Sequence, residues 1–387
     1  MKVDGQWMRA RATQSVCEML IGAGYQALFV GGCVRNALLD APVKDIDIAT
    51  DALPNEVMKL ARQAGMKPVP TGIDHGTITV VSDHVPHEIT TFRKDIETFG
   101  RHAVVAFSND VCDDARRRDF TMNALYAGPD GTVIDPLGGL DDLHARRFRF
   151  IEDAEQRIQE DYLRILRFFR FHAWYGDPEG GLDADAMAAI ALHLDGLAGL
   201  SRERVGSEIL KLLEAPDPAI SVAAMYQIGV LNAVLPGANM HALGPLIHLE
   251  ATVQRPADAI RRLAALGGAD VGQLLRLSKA QAKRLILLHE LTSNLMPAAE
   301  IGYRHGADLG HDVLLLRAAM LETPLVNAEF DLVAQGAGAT FPLKAADLQP
   351  EFSGPELGQA LRSAEQFWID SGFTLGAQAL LDEVTHP

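Results

Sequence analysis

Two glycines and an arginine near the N-terminus form a pattern that could bind phosphate groups. Gly31-Gly32 follows the apolar run Ala27–Val30, and Arg35 comes three residues later. Glycine lacks a Cβ, so the backbone N–H groups of such a turn can approach phosphate oxygens closely. A helix beginning near Cys33 would add a favourable dipole, and Arg35 can bind a phosphate through two hydrogen bonds. The pattern predicts a phosphate-binding turn at Gly31, Gly32 and Arg35.

Two carboxylates follow in the segment Asp45-Ile46-Asp47. If this segment is a strand, alternation places both carboxylates on one face and Ile46 on the other. Adjacent carboxylates repel each other unless a cation lies between them, and Mg²⁺ prefers carboxylate oxygens together with substrate phosphates. We therefore predict a Mg²⁺ (or Mn²⁺) site at Asp45 and Asp47, with Glu88 as a third candidate. Two metal ions there could activate an attacking hydroxyl and stabilise a leaving pyrophosphate.

Each of these motifs has a plainer interpretation when it is taken alone. A Gly-Gly pair is often only a turn, and an Asp-x-Asp pair is often a solvated strand edge. Glu88 fits an ordinary surface position on a strand equally well. The order of the motifs along one chain favours the functional interpretation.

The elements that must position these residues lie before about residue 150. Short apolar and β-branched runs predict strands there, and one longer stretch predicts a helix. From Ile151 onward, long helical patterns alternate with short breakers. The chain therefore predicts an α+β fold, a mixed sheet with helices followed by an all-helical remainder. The predicted strands are 27–30, 46–49, 77–81 and 88–92, and the predicted helix is 51–65, capped by Asp51 or Asn55.

The net charge argues against a generic basic nucleic-acid-binding protein. The 387 residues include 51 acidic and 35 basic side chains, for a net charge of -16. Any contact with RNA must therefore use a local basic patch. The arginines are unevenly distributed, and nine of them crowd into one region: Arg116, Arg117, Arg118, Arg146, Arg147, Arg149, Arg164, Arg167 and Arg170.

The cysteines and the apolar runs indicate in which cellular compartment the protein is expected. Cys17, Cys33 and Cys112 are far apart and make neither a metal-binding spacing nor a disulfide framework, so a reducing cytoplasm is the simplest interpretation. No run approaches ~18 uninterrupted apolar residues, so no membrane span is expected.

The stretch Glu152–Trp174 has helical periodicity and is predicted to be one helix. Asp161 and Arg164 are three residues apart, so they would be neighbours on its surface. A carboxylate acceptor beside a guanidinium donor can read the edge of a base, and Arg167 and Arg170, further along, could meet phosphates. The alternative is a plain salt bridge on an amphipathic helix.

Several of these motifs carry a family resemblance. The glycine turn with Asp45-x-Asp47 resembles the signature of the DNA polymerase β-like nucleotidyltransferase superfamily. Arg117-Arg118-Asp119 is similar to a motif of the bacterial class II CCA-adding enzyme and poly(A) polymerase family. The resemblance implies that Arg118 contacts the nucleotide, with Asp119 as a second candidate at the ribose.

The later motifs extend this resemblance. Glu160-Asp161-x-x-Arg164-x-x-Arg167 is similar to the family's Glu-Asp-x-x-Arg motif, a protein template that selects CTP and ATP. It implies that Asp161 and Arg164 pair with the base and that Arg167 meets the triphosphate. The segment 201–208 resembles the motif that buttresses this template. The segment 91–114 resembles the family's flexible loop, with Arg93, Asp95 and Arg101 as its charged residues.

The motifs span about residues 28–208, and the resemblance beyond them is weak. It implies a polymerase-β-like nucleotidyltransferase head at 1–145, a helical neck with the base-selecting helix at 146–235, and a helical body and tail at 236–387 that bind tRNA. Some family members carry a His-Asp phosphohydrolase domain. The single His-Asp pair here, His311-Asp312, lies at an ordinary helix start, so a helical body is preferred.

The resemblance implies that the protein adds CMP and AMP from CTP and ATP to the 3′ end of tRNA. Its expected partners are the tRNA 3′ end and nucleotide triphosphates, with no membrane or protein partner evident. A poly(A) polymerase and an A-adding or CC-adding variant share all the motifs. A catalytically silent RNA-binding protein of the same fold is a further alternative, and a small-molecule nucleotidyltransferase would lack the Glu-Asp-x-x-Arg helix.

Overall fold

The computed structural model describes residues 1–99, 102–349 and 351–385, and the side chains of 95–105 lie outside that description. The chain divides into two compact units, Met1–Val234 and Leu235–Pro387. The finer predicted division, with a boundary at residue 145, stays a prediction. In the described residues, no helix combines the length and the apolar character that crossing a membrane requires.

The first unit contains a seven-stranded mixed sheet in the order β3-β4-β5-β2-β1-β8-β9 and a separate hairpin of β6 and β7. Strands β2 and β5 are parallel, and the other neighbours in the sheet are antiparallel. The strands are β1 (Leu28–Val30), β2 (Asp47–Thr50), β3 (Lys67–Gly72), β4 (Thr77–Ser82), β5 (Val85–Thr91), β6 (Arg93–Phe99), β7 (His102–Phe107), β8 (Tyr126–Ala127) and β9 (Val133–Ile134).

Helices cover the sheet and make up the rest of the chain, so the predicted α+β fold with a helical remainder is confirmed. The helices of the first unit are α1 (Gln6–Arg9), α2 (Arg11–Gly22), α3 (Gly32–Leu38), α4 (Pro54–Gln63), α5 (Val111–Arg116), α6 (Gly139–His144), α7 (Ala154–Glu160), α8 (Leu163–Tyr175), α9 (Ala184–Leu192), α10 (Arg202–Leu213), α11 (Ala219–Gln227) and α12 (Val230–Val234). The helices of the second unit are α13 (Leu243–Thr252), α14 (Ala259–Leu266), α15 (Val271–Leu274), α16 (Lys279–Ser293), α17 (Ala298–His305), α18 (Ala307–Leu321), α19 (Asn327–Gly338), α20 (Gly354–Asp370) and α21 (Ala377–Thr385).

The strand predicted at 46–49 begins one residue later, at Asp47. Asp45 therefore lies in the preceding loop, outside the strand whose alternation was predicted to align both carboxylates. The loop ends at Asp47 because this residue is the first to enter the parallel register with β5, opposite Glu88.

The helix predicted at 51–65 is shorter, and neither predicted cap is used. Pro54 is its first residue, where the missing N–H costs nothing. The Asp51 carboxylate instead accepts a hydrogen bond from the Gln26 backbone N–H at 2.8 Å. The segment similar to a flexible loop contains the hairpin β6–β7, and Arg101 lies outside the described residues.

The single helix predicted over Glu152–Trp174 is two helices, α7 and α8, with a break at Asp161. Asp161 is extended, with φ -155° and ψ 101°. Its side chain accepts a hydrogen bond from the Leu163 N–H at 3.1 Å, and its carbonyl accepts one from the Arg164 N–H at 2.9 Å. Such local bonds from Asp compete with helical hydrogen bonding, and periodicity alone does not reveal them.

A cluster of buried phenylalanines joins α8 to the segment that precedes it. Phe120 lies 4.9 Å from Phe150, and Phe148 stacks on Phe171 at 5.6 Å, both measured between ring centroids. Phe168 is also fully buried and packs 5.8 Å from Phe150. Aromatic pairs at these separations add to the free energy of area burial, so this cluster fixes α8 relative to the arginine motif.

The second unit has a buried ionic network among its helices. Arg261 pairs with Glu250 at 2.7 Å and with Asp312 at 2.8 Å, and all three side chains are almost fully buried. Arg284 donates to the other Asp312 oxygen at 2.6 Å. The Asp312 of the His311-Asp312 pair is therefore engaged by arginines.

Gly139 is a position where packing demands glycine. A Cβ there would collide with the Thr121 carbonyl oxygen. We expect Gly139→Ala to lower the free energy of unfolding by about 1–3 kcal/mol, because the backbone must shift to accommodate it. Gly199→Ala, where a Cβ meets open space, is the matched control. Urea denaturation of both variants checks this; equal stability would contradict the packing argument.

Candidate active site

The glycine turn follows β1 and starts helix α3, as the pattern predicts. Gly31 has φ 69° and ψ -119°, a conformation that side chains with a Cβ rarely adopt. Its N–H donates to the Leu125 carbonyl at 3.1 Å. A Cβ at Gly31 would lie 3.4 Å from Nη1 of Arg118, so the turn and this guanidinium are adjacent.

Asp47 and Glu88 are direct neighbours in the parallel register of β2 and β5. Asp47 is half-buried, and Asp45, in the loop, is exposed. Burial and then the negative charge of Glu88 raise the pKa of Asp47 to about 6; Arg118 opposes this, and Asp45 adds to it. The other two predicted metal-binding carboxylates therefore both act electrostatically on Asp47.

This donor set fits a divalent cation that is also held by phosphates. In the described part of the chain, no group of three His, Cys, Asp or Glu side chains is arranged to hold a metal ion by itself. Mg²⁺ commonly binds through one or two carboxylates together with waters and substrate phosphates. The mutual repulsion at Asp47 is the feature that a cation would relieve.

Arg35 is almost fully buried. Its Nη1 donates to Oδ1 of Asn123 at 2.5 Å, and its guanidinium lies 4.3 Å from the ring centroid of Tyr175 and 4.9 Å from that of Phe171. It also lines a cavity of about 630 Å³ together with Gly32, Asp45 and Asp47. Arg35 therefore connects the glycine turn to α8 as well as facing this cavity.

Asp114 organises the arginine motif, and the sequence analysis missed it. Its carboxylate accepts hydrogen bonds from Arg117 at 2.8 Å, from Arg118 at 2.9 Å and from the Tyr126 hydroxyl at 2.7 Å. Burial raises the pKa of Asp114, but Arg118 and Arg117 lower it further, to well below its usual range. The available signal was its position three and four residues before the arginines. With Nε and Nη2 held by Asp114, Arg118 presents Nη1 to the glycine turn.

Asp119 links the arginine motif to α8. Its Oδ2 accepts two hydrogen bonds from Arg167, at 2.6 and 2.8 Å. Its Oδ1 accepts one from Asn123 Nδ2 and one from the Phe120 N–H, both at 2.9 Å. A continuous chain of contacts therefore runs from Arg35 through Asn123 and Asp119 to Arg167. A ribose hydroxyl at the predicted contact would have to share the Asp119 carboxylate with these four hydrogen bonds.

Asp161 and Arg164 are not paired with each other. Oδ2 of Asp161 accepts from Arg204 at 2.5 Å, whereas Arg164 pairs with Glu160 at 2.5 Å and donates to the Arg117 carbonyl at 3.2 Å. The plain Asp161–Arg164 salt bridge is thus absent, and Glu160 takes its place as a buried partner. Each predicted base-reading group is held by a different residue.

The arginines of α8 that were predicted to contact phosphates, Arg167 and Arg170, are also paired with carboxylates. Arg170 donates to Glu208 at 2.5 Å, and Arg167 lies 4.0 Å from the other Glu208 oxygen. Arg204 and Glu208 both lie on α10, so the segment predicted as a buttress contacts Asp161 and both arginines. Ser201 occupies the N-cap position of α10 but makes no capping hydrogen bond.

The chain is similar to known proteins over most of its length. Residues 27–149 match the family described as "Poly A polymerase head domain", and residues 181–241 match "Probable RNA and SrmB- binding site of polymerase A". The CCA tRNA nucleotidyltransferase 1, mitochondrial, of Danio rerio is 30% identical over 380 residues, which cover 93% of this chain and 87% of that protein. The chain belongs to the CCA tRNA nucleotidyltransferase family.

Other members of this family match over shorter stretches. The Homo sapiens protein of the same name is 42% identical over 218 residues, 56% of this chain and 50% of that protein. In this alignment the chain spans half the length of its relative. Among solved structures, the Bacillus stearothermophilus CCA-adding enzyme in complex with CTP superposes with a TM-score of 0.76 at 28% identity, covering 97% of this chain and 96% of that one. The predicted family resemblance is confirmed.

The Asp119–Arg167 pair should make stability depend on pH. Burial raises the pKa of Asp119, but Arg167 and Asn123 lower it further, to well below its usual range. A carboxyl with a depressed folded-state pKa stabilises the protein above its unfolded pKa of ~3.9, and this contribution is lost as the pH falls below that value. We expect Asp119→Asn to lower the unfolding free energy by about 2 kcal/mol at pH 7.

Urea denaturation of wild type and variant between pH 7 and pH 3 measures this difference, which should shrink below pH ~4. Asp331→Asn, at an exposed position on α19, is the control. A difference that stayed constant down to pH 3 would contradict the linkage.

Proposed function

We propose that this protein adds CMP and AMP from CTP and ATP to the 3′ end of tRNA and so builds its CCA end. One arrangement carries the proposal: the Asp47–Glu88 pair lies beside Arg118 and the glycine turn. The relatives support the choice of product, because the Danio rerio protein is named a CCA tRNA nucleotidyltransferase and the solved Bacillus stearothermophilus enzyme is in complex with CTP.

Asp45 and Asp47, with Glu88 beside them, would hold Mg²⁺ or Mn²⁺ together with the triphosphate. The bound cation would neutralise charge on the phosphates and lower the pKa of the attacking hydroxyl. The reaction forms a bond from the RNA 3′ oxygen to the α-phosphorus and releases pyrophosphate.

The protein residues around the carboxylates position the nucleotide. Gly31 and Gly32 let phosphate oxygens approach the backbone, and Arg118 offers Nη1 beside that turn. Arg35, through Asn123, holds the arginine motif in place. Positioning and charge neutralisation of this kind supply most of the catalysis in phosphoryl transfer.

Base selection is assigned to Asp161 and Arg164, the acceptor and donor of the Glu-Asp-x-x-Arg motif. Arg204 and Glu160 fix their orientations before a nucleotide arrives. Arg167 and Arg170 complete the nucleotide site at its phosphate side, and Asp119 holds Arg167.

The proposal also assigns a function to each segment of the chain. Residues 1–145 would be the catalytic head, 146–235 the neck and 236–387 the body and tail that bind tRNA, with the cytoplasm as the place of action. The match of residues 181–241 to an RNA-binding description supports an RNA partner.

A tRNA lacking CCA, incubated with labelled CTP and ATP separately and together, tests the proposal. The expected product is CCA with a clean stop. A long A tail would instead identify a poly(A) polymerase, the second candidate, which the name of the matching head-domain family favours. No incorporation and no pyrophosphate release would support a catalytically silent RNA-binding protein.

Removing either metal-binding carboxylate should abolish incorporation. We expect Asp45→Asn and Asp47→Asn to lower kcat by about a thousandfold or more, because charge stabilisation at the phosphates is lost. Circular dichroism should show an unchanged fold, and the exposed Asp74→Asn should behave as wild type. Normal turnover in either variant would overturn the metal site.

Changing the base-reading pair should relax nucleotide choice. We expect Asp161→Ala or Arg164→Ala to change the ratio of kcat/KM for CTP and ATP by about tenfold, since one base-edge hydrogen-bond pair is lost. Arg157→Ala is the matched control, because Arg157 also pairs with Glu160, at 2.8 Å, without belonging to the proposed template. An unchanged ratio in both template variants would reject this role.

A further inference from the structure

The cavity at Asp45 and Asp47 has a second wall that the proposed nucleotide site does not use. The end of α8 contributes Trp174 and Tyr175, and α10 contributes Lys211. The base-reading residues Asp161 and Arg164, and also Arg118, are absent from the described residues that line this cavity. Gly32, Arg35 and Arg170 of the proposed phosphate site do line it, so the space of about 630 Å³ continues from the phosphate-binding residues to this second wall.

Trp174 is an exposed aromatic ring with a fixed orientation. Its indole Nε1 donates to the Lys211 carbonyl at 2.7 Å, and 37% of the residue is exposed. Tyr175 lies beside it, with ring centroids 6.3 Å apart. With its polar atom bonded and its ring exposed, Trp174 resembles the stacking platforms on which proteins hold unpaired bases.

Three cations on this cavity have no acidic partner. Lys44, Arg146 and Lys211 are exposed and line it, and none of them forms an ion pair within residues 1–99, 102–349 and 351–385. Most arginines of the neighbouring region are neutralised, for example Arg170 by Glu208. Apart from the carboxylates of Asp45 and Asp47, one acidic side chain, Glu214, joins the lining. Uncompensated cations beside an aromatic ring suit a single-stranded RNA backbone.

We propose that this wall binds the single-stranded 3′ end of the RNA substrate. The base of the terminal nucleotide stacks on Trp174, and the phosphates of the RNA end pair with Lys211 and Arg146. The 3′-hydroxyl reaches Asp45 and Asp47. The inference rests on the proposed function and adds where the RNA end lies. In-line transfer requires the attacking oxygen and the leaving pyrophosphate on opposite sides of the α-phosphate, which favours different walls of this cavity for the RNA end and the triphosphate.

The proposed stacking on Trp174 can be tested directly by RNA binding. The probe is an RNA hairpin with a 3′ overhang ending in CC, and its binding to the full chain without nucleotide is measured by fluorescence anisotropy. We expect Trp174→Ala to raise the Kd about tenfold, Trp174→Phe to restore most of the affinity, and Lys211→Ala to weaken binding and its salt dependence. Tyr226→Ala, another exposed aromatic in the first unit, should leave the Kd unchanged. An equal Kd for wild type and Trp174→Ala overturns the proposal.

Steady-state kinetics separate this proposal from the proposed function. Trp174→Ala should raise the KM for tRNA lacking CCA about tenfold, with the KM for CTP unchanged and the Phe variant near wild type. If wild type adds CCA but the tRNA KM does not move in Trp174→Ala, or both KM values rise together, the platform is wrong and the proposed function stands. If wild type adds nothing, the proposed function fails, and the hairpin affinity still decides the platform.

Discussion

The ion pair between Asp119 and Arg167 is the contact on which the arrangement of the site depends. It joins the arginine motif, next to the sheet, to helix α8, which begins two residues after Asp161 and contains Arg164. Because Asp119 also holds Asn123, and Asn123 holds Arg35, one buried hydrogen-bonded chain reaches back to the glycine turn. Phe171 of the phenylalanine cluster lies 4.9 Å from the Arg35 guanidinium and 5.1 Å from that of Arg167, measured to the ring centroid, and the burial of Arg35, Asn123 and Asp119 strengthens the polar contacts among them.

Pairing between arginines and buried carboxylates also explains how a chain with a net charge of -16 can have a site rich in arginine. Its arginines are held by carboxylates that are themselves almost fully buried, such as Asp114, Asp142 and Glu208. A buried carboxylate that accepts several guanidinium bonds fixes the direction of each donor, and planar Arg suits this role better than Lys. At the cavity beside Asp45 and Asp47, by contrast, Lys44, Arg146 and Lys211 form no ion pair within the described residues, and this local excess of positive charge is what the proposed RNA binding uses.

At the carboxylate site the structure tolerates an unfavourable interaction. Asp47 enters the sheet opposite Glu88, and burial, followed by repulsion from Glu88, raises the pKa of Asp47 to about 6. Functional sites often keep such local conflicts because the ligand resolves them. The sheet register holds the two side chains together through backbone hydrogen bonds, so the repulsion does not separate them.

The sequence by itself determined the family and the fold class and predicted the residues of the site, because glycines, paired acids and the Glu-Asp-x-x-Arg motif carry local chemical meaning. It did not determine which side chains pair with one another. The break at Asp161 escaped the periodicity argument because a side-chain hydrogen bond, not apolar spacing, ends α7. The hydrogen bonds that Asp114, Glu160 and Arg204 make became visible only in the fold, since residue spacing does not specify their geometry. Tertiary structure alone decided the long-range pairs, such as Asp119 with Arg167 and Asp161 with Arg204, because those contacts join residues distant in the chain through packing that no local pattern encodes.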